Sequence, residues 1–329
     1  MGVRTPYNGK ARHGVPGRSS VTRPSPRVGR GPAWSPGLVL VALLAIVIRP
    51  AAAQSGDALS LPGLPAPSVS AEAGLLVDLA TGKVLYAKNA EGDRAPASLV
   101  KLMTLYIAYD DLRAGKVTLA EPVSVSHAAM RTARFRMGLV AGQTVPFEVL
   151  LQGVGIASAN DAAEAVAEHL AGSEELFVER MNAEARRMGL SHTVFANPHG
   201  LPDPRQRTTA RDIAALAENL LQDFPESRAI LGDTEFTWHG RVFRRRIPLF
   251  RDPGGVTALK TGFTLAAGYN VTVAAGRAGH RLLCVILGAE TRGLSFLDAG
   301  RLLRFGFGEP APASRPVKRH VRPRVRAAS

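Results

Sequence analysis

Apolar residues recur with two different periods along this chain. Gly74-Leu75-Leu76-Val77-Asp78-Leu79 and Lys83-Val84-Leu85-Tyr86-Ala87 are short apolar runs joined at Ala80-Thr81-Gly82, the pattern of two strands in a β-hairpin. A polar loop with Pro96 follows. Over 97–113 the apolar positions Leu99, Leu102, Met103, Tyr106 and Ile107 switch to helical spacing. Helical patterns return over 161–171, 174–188 and 210–221. The stretch 114–150 is mixed, with a strand-like piece at Val123-Ser124-Val125 and a helix beginning near Pro146. Strand-like residues 235–238 and 241–243 flank His239-Gly240 as a second hairpin. Residues 259–275 and 281–287 read as two more hairpin strands turning at Gly276-Arg277-Ala278-Gly279, before a last helix over 295–304. Strands near both ends with helices between them predict an α+β fold: an antiparallel sheet completed by both termini, helices on its faces, and an inserted helical lobe.

The ends depart from this pattern. Residues 1–36 are rich in Arg, Gly, Pro and Ser, and Leu38 begins an apolar run of eleven residues that closes on Arg49-Pro50-Ala51-Ala52-Ala53-Gln54. A basic region, a short apolar core and small residues predict a secretory signal over 1–53, cleaved after Ala53; an uncleaved anchor is the other reading. Both put the remainder in the periplasm or on the outer face of the inner membrane. A spacer over 54–67, a main domain over 68–308 and a basic, disordered tail over 309–329 complete the expected organisation.

A formal charge of +14 on 329 residues resembles that of a nucleic-acid binder until the charges are located. Residues 1–53 hold eight Lys and Arg with no acid, and 315–329 hold six with none; removing those fourteen from 41 leaves 27 basic residues against 27 acidic ones. The body is formally neutral, so nucleic acid is not an expected partner. The tail either touches anionic lipid heads or wall polymers, at about 1 kcal/mol per basic residue, or stays solvated and inert. Cys284 is the only cysteine and sits in an apolar run, so no intramolecular disulfide forms and the thiol is expected in the core.

Three short motifs carry candidate chemistry. Ser98 and Lys101 stand three residues apart where a helix begins, close enough for the amine to take the hydroxyl's proton if burial or a nearby cation keeps it neutral. Ser158-Ala159-Asn160-Asp161 places a hydroxyl and an amide at a second helix entrance, where Asn160 or Asp161 has the alternative role of helix cap. Lys260-Thr261-Gly262-Phe263 sets an ammonium and a hydroxyl on a strand beside a glycine; the alternative for Lys260 is a solvated edge-strand lysine. His199 by itself is no metal-ligand set, and no cluster along the sequence points to zinc or another cofactor.

In the order Ser-x-x-Lys, Ser-x-Asn, Lys-Thr-Gly, about sixty and a hundred residues apart, the trio resembles that of serine β-lactamases and penicillin-binding proteins. Asn197-Pro198-His199-Gly200-Leu201-Pro202, Thr208-Thr209-Ala210-Arg211-Asp212 and Gly268-Tyr269-Asn270 narrow the resemblance to the low-molecular-mass penicillin-binding proteins that are D-alanyl-D-alanine carboxypeptidases. The resemblance implies a β-lactamase/transpeptidase-like fold and a serine DD-carboxypeptidase acting on peptidoglycan stem peptides, with β-lactams as covalent inhibitors and no cofactor. It implies Ser98 as nucleophile, Lys101 as base with its pKa lowered by Lys260 and burial, and Ser158 as proton relay. Asn160, Lys260, Thr261, Gly262 and Phe263 are implied as substrate-binding, with the Ser98 and Phe263 N–H groups as the oxyanion hole. The family's further basic residue falls at Ser295 here, which leaves Arg292 as the nearest substitute. Asp203, between two prolines, reads as a turn residue. A DD-endopeptidase using the same residues and a non-catalytic wall-binding protein are the competing functions. A β-lactamase is disfavoured, because no convincing Glu-x-x-x-Asn loop is present.

Overall fold

A computed structural model describes residues 64–310. The expected signal, most of the spacer and nearly all of the tail lie outside the described residues.

In chain order the elements are strands β1 (Ala73–Asp78) and β2 (Val84–Lys88), a single 3₁₀ turn over Ala97–Val100, and helix α1 (Lys101–Arg113). The helical lobe follows: β3 (Pro122–Ser124), α2 (His127–Arg131), β4 (Thr144–Pro146), α3 (Phe147–Gln152), α4 (Asn160–Ala171) and α5 (Glu174–Arg187). Then come α6 (Ala210–Asp223), α7 (Arg228–Leu231) and the hairpin β5 (Glu235–Trp238) and β6 (Arg241–Arg244). Strands β7 (Val256–Thr264), β8 (Gly268–Arg277) and β9 (His280–Ala289) and helix α8 (Arg292–Gly306) close the fold.

The main sheet is antiparallel in the order β2-β1-β9-β8-β7, so the first strands of the domain pair with its last. Side chains of a strand alternate between faces. On β9, Leu283, Val285 and Leu287 therefore join the core with α1, α4 and α6, while Leu282, Cys284 and Ile286 join the core under α8. Both faces being covered explains why these strands read as continuous apolar runs rather than as alternating ones. Cys284 is fully buried, and its thiol pKa is pushed up by burial and then by Asp298.

Two expectations change. The stretch 259–275 is two strands: the chain reverses at Leu265-Ala266-Ala267, where the Ala267 N–H donates to Thr264 Oγ1 at 3.0 Å. Gly268 supplies the left-handed φ of +66° that the reversal needs, and a Cβ there would lie 2.9 Å from the Ala289 carbonyl oxygen. The turn residues are themselves apolar, so hydrophobicity conceals the break. Helix α1 is the other case. Its apolar spacing marks one face, yet it is buried on nearly every side, Lys101 and Thr104 included.

Candidate active site

The 3₁₀ turn that carries Ser98 is held from the sheet. Asn270 on β8 donates to the carbonyls of Ala95 and Pro96 at 3.0 and 3.1 Å and accepts the Gly288 N–H at 2.9 Å. Beside it, β7 approaches so closely that a Cβ on Gly262 would stand 2.9 Å from the Ser98 backbone nitrogen. On the other side Gly200, at φ +86°, leaves no room either: a Cβ there would lie 2.1 Å from the Ala97 carbonyl oxygen. Ala97 itself has φ +49°, a strained value for a residue with a side chain and of the kind that concentrates at functional sites.

Lys101, one turn on, is 0% exposed. Its Nζ lies 3.2 Å from Ser98 Oγ, donates to Asn160 Oδ1 at 2.7 Å, and makes a short contact with the His199 carbonyl oxygen. Burial lowers its pKa from 10.5 to about 7, against a smaller upward pull from Asp161. Lys260, 1% exposed, is no solvated edge residue: its Nζ donates to Ser158 Oγ at 2.7 Å and to the Thr261 carbonyl at 2.8 Å. Its pKa falls well below the usual value through burial first, then the charges of Lys101 and Arg245. For Lys101, desolvation rather than Lys260 is thus the leading cause, which revises the expected order of causes.

Asn160 is not a helix cap. Its Nδ2 donates to the carbonyls of Ala133 and Arg134 at 2.8 and 3.2 Å, so one amide ties Lys101 to the loop before β4. Ser158 has φ +55°, which turns its hydroxyl toward Lys260 as the chain enters α4. Ser98, Ser158, Lys260, Thr261, Gly262, Phe263 and Arg292 all line one cleft of about 680 Å³, with Lys101 and Asn160 buried beneath it. Arg292 sits at the rim, donating to the Arg246 carbonyl at 3.0 Å, with its guanidinium over Phe296. Phe263 stacks on Tyr269, ring centroids 4.2 Å apart.

The D-alanyl-D-alanine carboxypeptidase model of the S11 peptidases matches residues 62–291. The chain belongs to this family. The D-alanyl-D-alanine carboxypeptidase DacC of Escherichia coli (strain K12) is 41% identical over 249 residues, covering 74% of this chain and 62% of DacC. The chain therefore spans under two thirds of that relative's length. Penicillin binding protein 5 from Haemophilus influenzae superposes with a TM-score of 0.72 at 34% identity, covering 75% of this chain and 73% of that one. Penicillin-Binding Protein D2 from Listeria monocytogenes, solved in its cefotaxime-bound form, gives 0.65 at 28% identity, covering 74% and 99%.

In this family member the structure adds groups that motif reading missed. Arg245 is largely buried at the floor of the cleft, donating to the carbonyls of Leu259 and Leu231 at 2.7 and 2.6 Å; burial lowers its pKa to about 10. The Arg244-Arg245-Arg246 run was the available signal. Asp161, 0% exposed, accepts the N–H groups of Met137, Gly138 and Leu139 at 2.9, 2.9 and 3.1 Å. Asp203 is taken up by Arg205, at 3.0 and 2.7 Å. His199 is also not alone: the fold brings Glu164 and Glu174 to its ring, from positions too scattered along the chain to read as a cluster.

Proposed function

We propose that this chain is an exported serine DD-carboxypeptidase that removes the terminal D-alanine from peptidoglycan stem peptides and is acylated by β-lactams at Ser98. The observation that carries the reading is the fully buried Lys101 amine, shifted toward neutrality and held against Ser98 Oγ by Asn160 and the His199 carbonyl.

The stem peptide lies extended along β7, an edge strand of the sheet whose backbone is available for strand addition. Its terminal carboxylate meets the electropositive end of the cleft, with Lys260, Thr261 and Arg292. Neutral Lys101 takes the Ser98 proton as Oγ attacks the carbonyl carbon of the penultimate D-alanine. The oxyanion forms against the N–H groups of Ser98 and Phe263; removing one such donor typically costs about 10²–10³ in rate. The proton passes through Ser158, which Lys260 holds by its hydroxyl, to the departing amine. Free D-alanine leaves, and water hydrolyses the Ser98 ester. Residues 68–308 form the catalytic domain, 1–53 the export signal, and 309–329 a basic tail suited to anionic lipid or wall polymer. Among the described residues no helix is long and apolar enough to cross a membrane.

Incubation with a pentapeptide ending in D-Ala-D-Ala tests the reading: D-alanine is released, and a fluorescent penicillin labels the wild type but not Ser98→Ala, the adduct mapping to Ser98 by mass spectrometry. Absence of both release and labelling refutes it. Cleavage of cross-linked muropeptides in preference to pentapeptide makes the enzyme an endopeptidase, and rapid penicillin turnover makes it a β-lactamase.

A further inference from the structure

The acceptor for Lys101 is a backbone carbonyl, that of His199, and the histidine side chain is engaged elsewhere. The ring is buried, 7% exposed. Its Nδ1 accepts the Leu201 N–H at 3.2 Å, so in the neutral imidazole the proton resides on Nε2. Nε2 faces two carboxyl groups, with Glu164 Oε2 and Glu174 Oε1 each 3.8 Å away. Glu164 Oε2 has no hydrogen-bond partner although the residue is only 4% exposed, an expensive arrangement for a carboxyl without a task. Three such ligand atoms within 4.8 Å of one another resemble a metal site, but a ring whose Nε2 carries the proton has no lone pair to offer a cation there.

Glu164 lies four residues after Asn160 on α4, so the two share one helix face. Helix α4 thereby reaches Lys101 twice: through Asn160 Oδ1 on the amine, and through Glu164 on the ring of the residue whose carbonyl meets that amine. The same loop carries Gly200, packed against the Ala97 carbonyl in the nucleophile's turn.

We propose that Glu164, with Glu174 beside it, is a positioning residue for acyl transfer: its carboxyl, 3.8 Å from the His199 Nε2, sets the ring by its dipole and packing and so fixes the carbonyl against which Lys101 is set. The proposal rests on the acyl-transfer reading above. Glu174, Glu168 and Glu175 face Glu164 from α4 and α5, and Lys101 faces His199. Burial, followed by those three acids, pushes the Glu164 carboxyl up to about 8, so it is mostly neutral at pH 7, a state glutamine reproduces.

The test compares Glu164→Gln and Glu164→Leu in the full chain. The second-order rate of Ser98 acylation by fluorescent penicillin falls about tenfold to a hundredfold in Glu164→Leu, the scale of a displaced catalytic group. In Glu164→Gln it stays within about threefold of wild type, because an amide of the same shape presents a like dipole to the ring N–H. The Leu variant keeps or raises the thermal midpoint, since an unpartnered buried carboxyl has been removed, which separates lost positioning from lost folding. Wild-type acylation by Glu164→Leu overturns the proposal. So does nitrogen NMR placing the neutral His199 proton on Nδ1, or stoichiometric Zn²⁺ binding by metal-free wild type that Glu164→Gln abolishes. Failure of wild type itself to acylate refutes the functional reading instead, while the ring tautomer still reports on the Glu164 contact.

Discussion

The state of Lys101 makes a quantitative prediction about acylation. Burial takes its pKa from 10.5 to about 7. That fall corresponds to about 5 kcal/mol in favour of the neutral amine, at roughly 1.4 kcal/mol per pKa unit. An ordinary lysine is neutral in about one molecule in 3,000 at pH 7, whereas Lys101 is neutral in about half. If neutral Lys101 is the base, the acylation rate follows its neutral fraction: about tenfold lower at pH 6 than at pH 8, half-maximal near 7 and nearly flat above about 8. The assay is stopped-flow labelling with a fluorescent penicillin between pH 5.5 and 9.5, following acylation alone so that ester hydrolysis does not shape the profile. Asp161 pulls the Lys101 pKa upward, so Asp161→Asn moves the rising limb to lower pH. A rate that is flat from pH 6 to 8, or one that climbs tenfold per pH unit up to pH 10, refutes the reasoning. The same shift bears on stability. Between about pH 7 and 10.5 the unfolded chain holds a proton on Lys101 that the native chain does not, so this group makes stability rise with pH across that window.

Three further outcomes follow from the geometry. Gly262→Ala sets a Cβ 2.9 Å from the Ser98 nitrogen and 3.2 Å from Ala97 Cβ, forcing β7 away from the oxyanion position; acylation drops about 10²–10³, while a thermal melt registers only the roughly 1–3 kcal/mol of overpacking. Asp161→Ala leaves the buried N–H groups of Met137 and Leu139 and the part-buried one of Gly138 without their acceptor, and chemical denaturation finds a loss of about 3–5 kcal/mol. Arg292→Ala, at the rim of the cleft, raises KM for the carboxylate-bearing pentapeptide severalfold with kcat nearly constant, since the residue touches no reacting atom; an unchanged KM removes Arg292 from the binding site.

Much of this architecture was legible because its signals are local. The hairpin at Ala80-Thr81-Gly82, helices α4 to α6 and the His239-Gly240 turn each announce themselves within a dozen residues. The reversal between β7 and β8 did not, because Leu265, Ala266 and Ala267 are apolar and turn chemistry is carried by Thr264 and Gly268 at the margins. Burial on all sides of α1 was likewise illegible, since an amphipathic spacing says which positions are apolar and not how many neighbours cover the rest.

By itself the sequence determined that a serine, a lysine, a second serine with an asparagine, and a Lys-Thr-Gly strand exist in a fixed order, and that the body carries no net charge to suit a nucleic acid. Residue type and spacing are enough for that, since each motif acts within one turn of helix or strand. Only the tertiary structure decided that Lys101 is dry enough to be neutral, that Lys260 holds Ser158 rather than facing water, and that Glu164 stands under His199. Those facts depend on desolvation and on contacts between segments some 35 to 100 residues apart. Solvent exclusion is a property of what packs against a group, and no local stretch of chain encodes it.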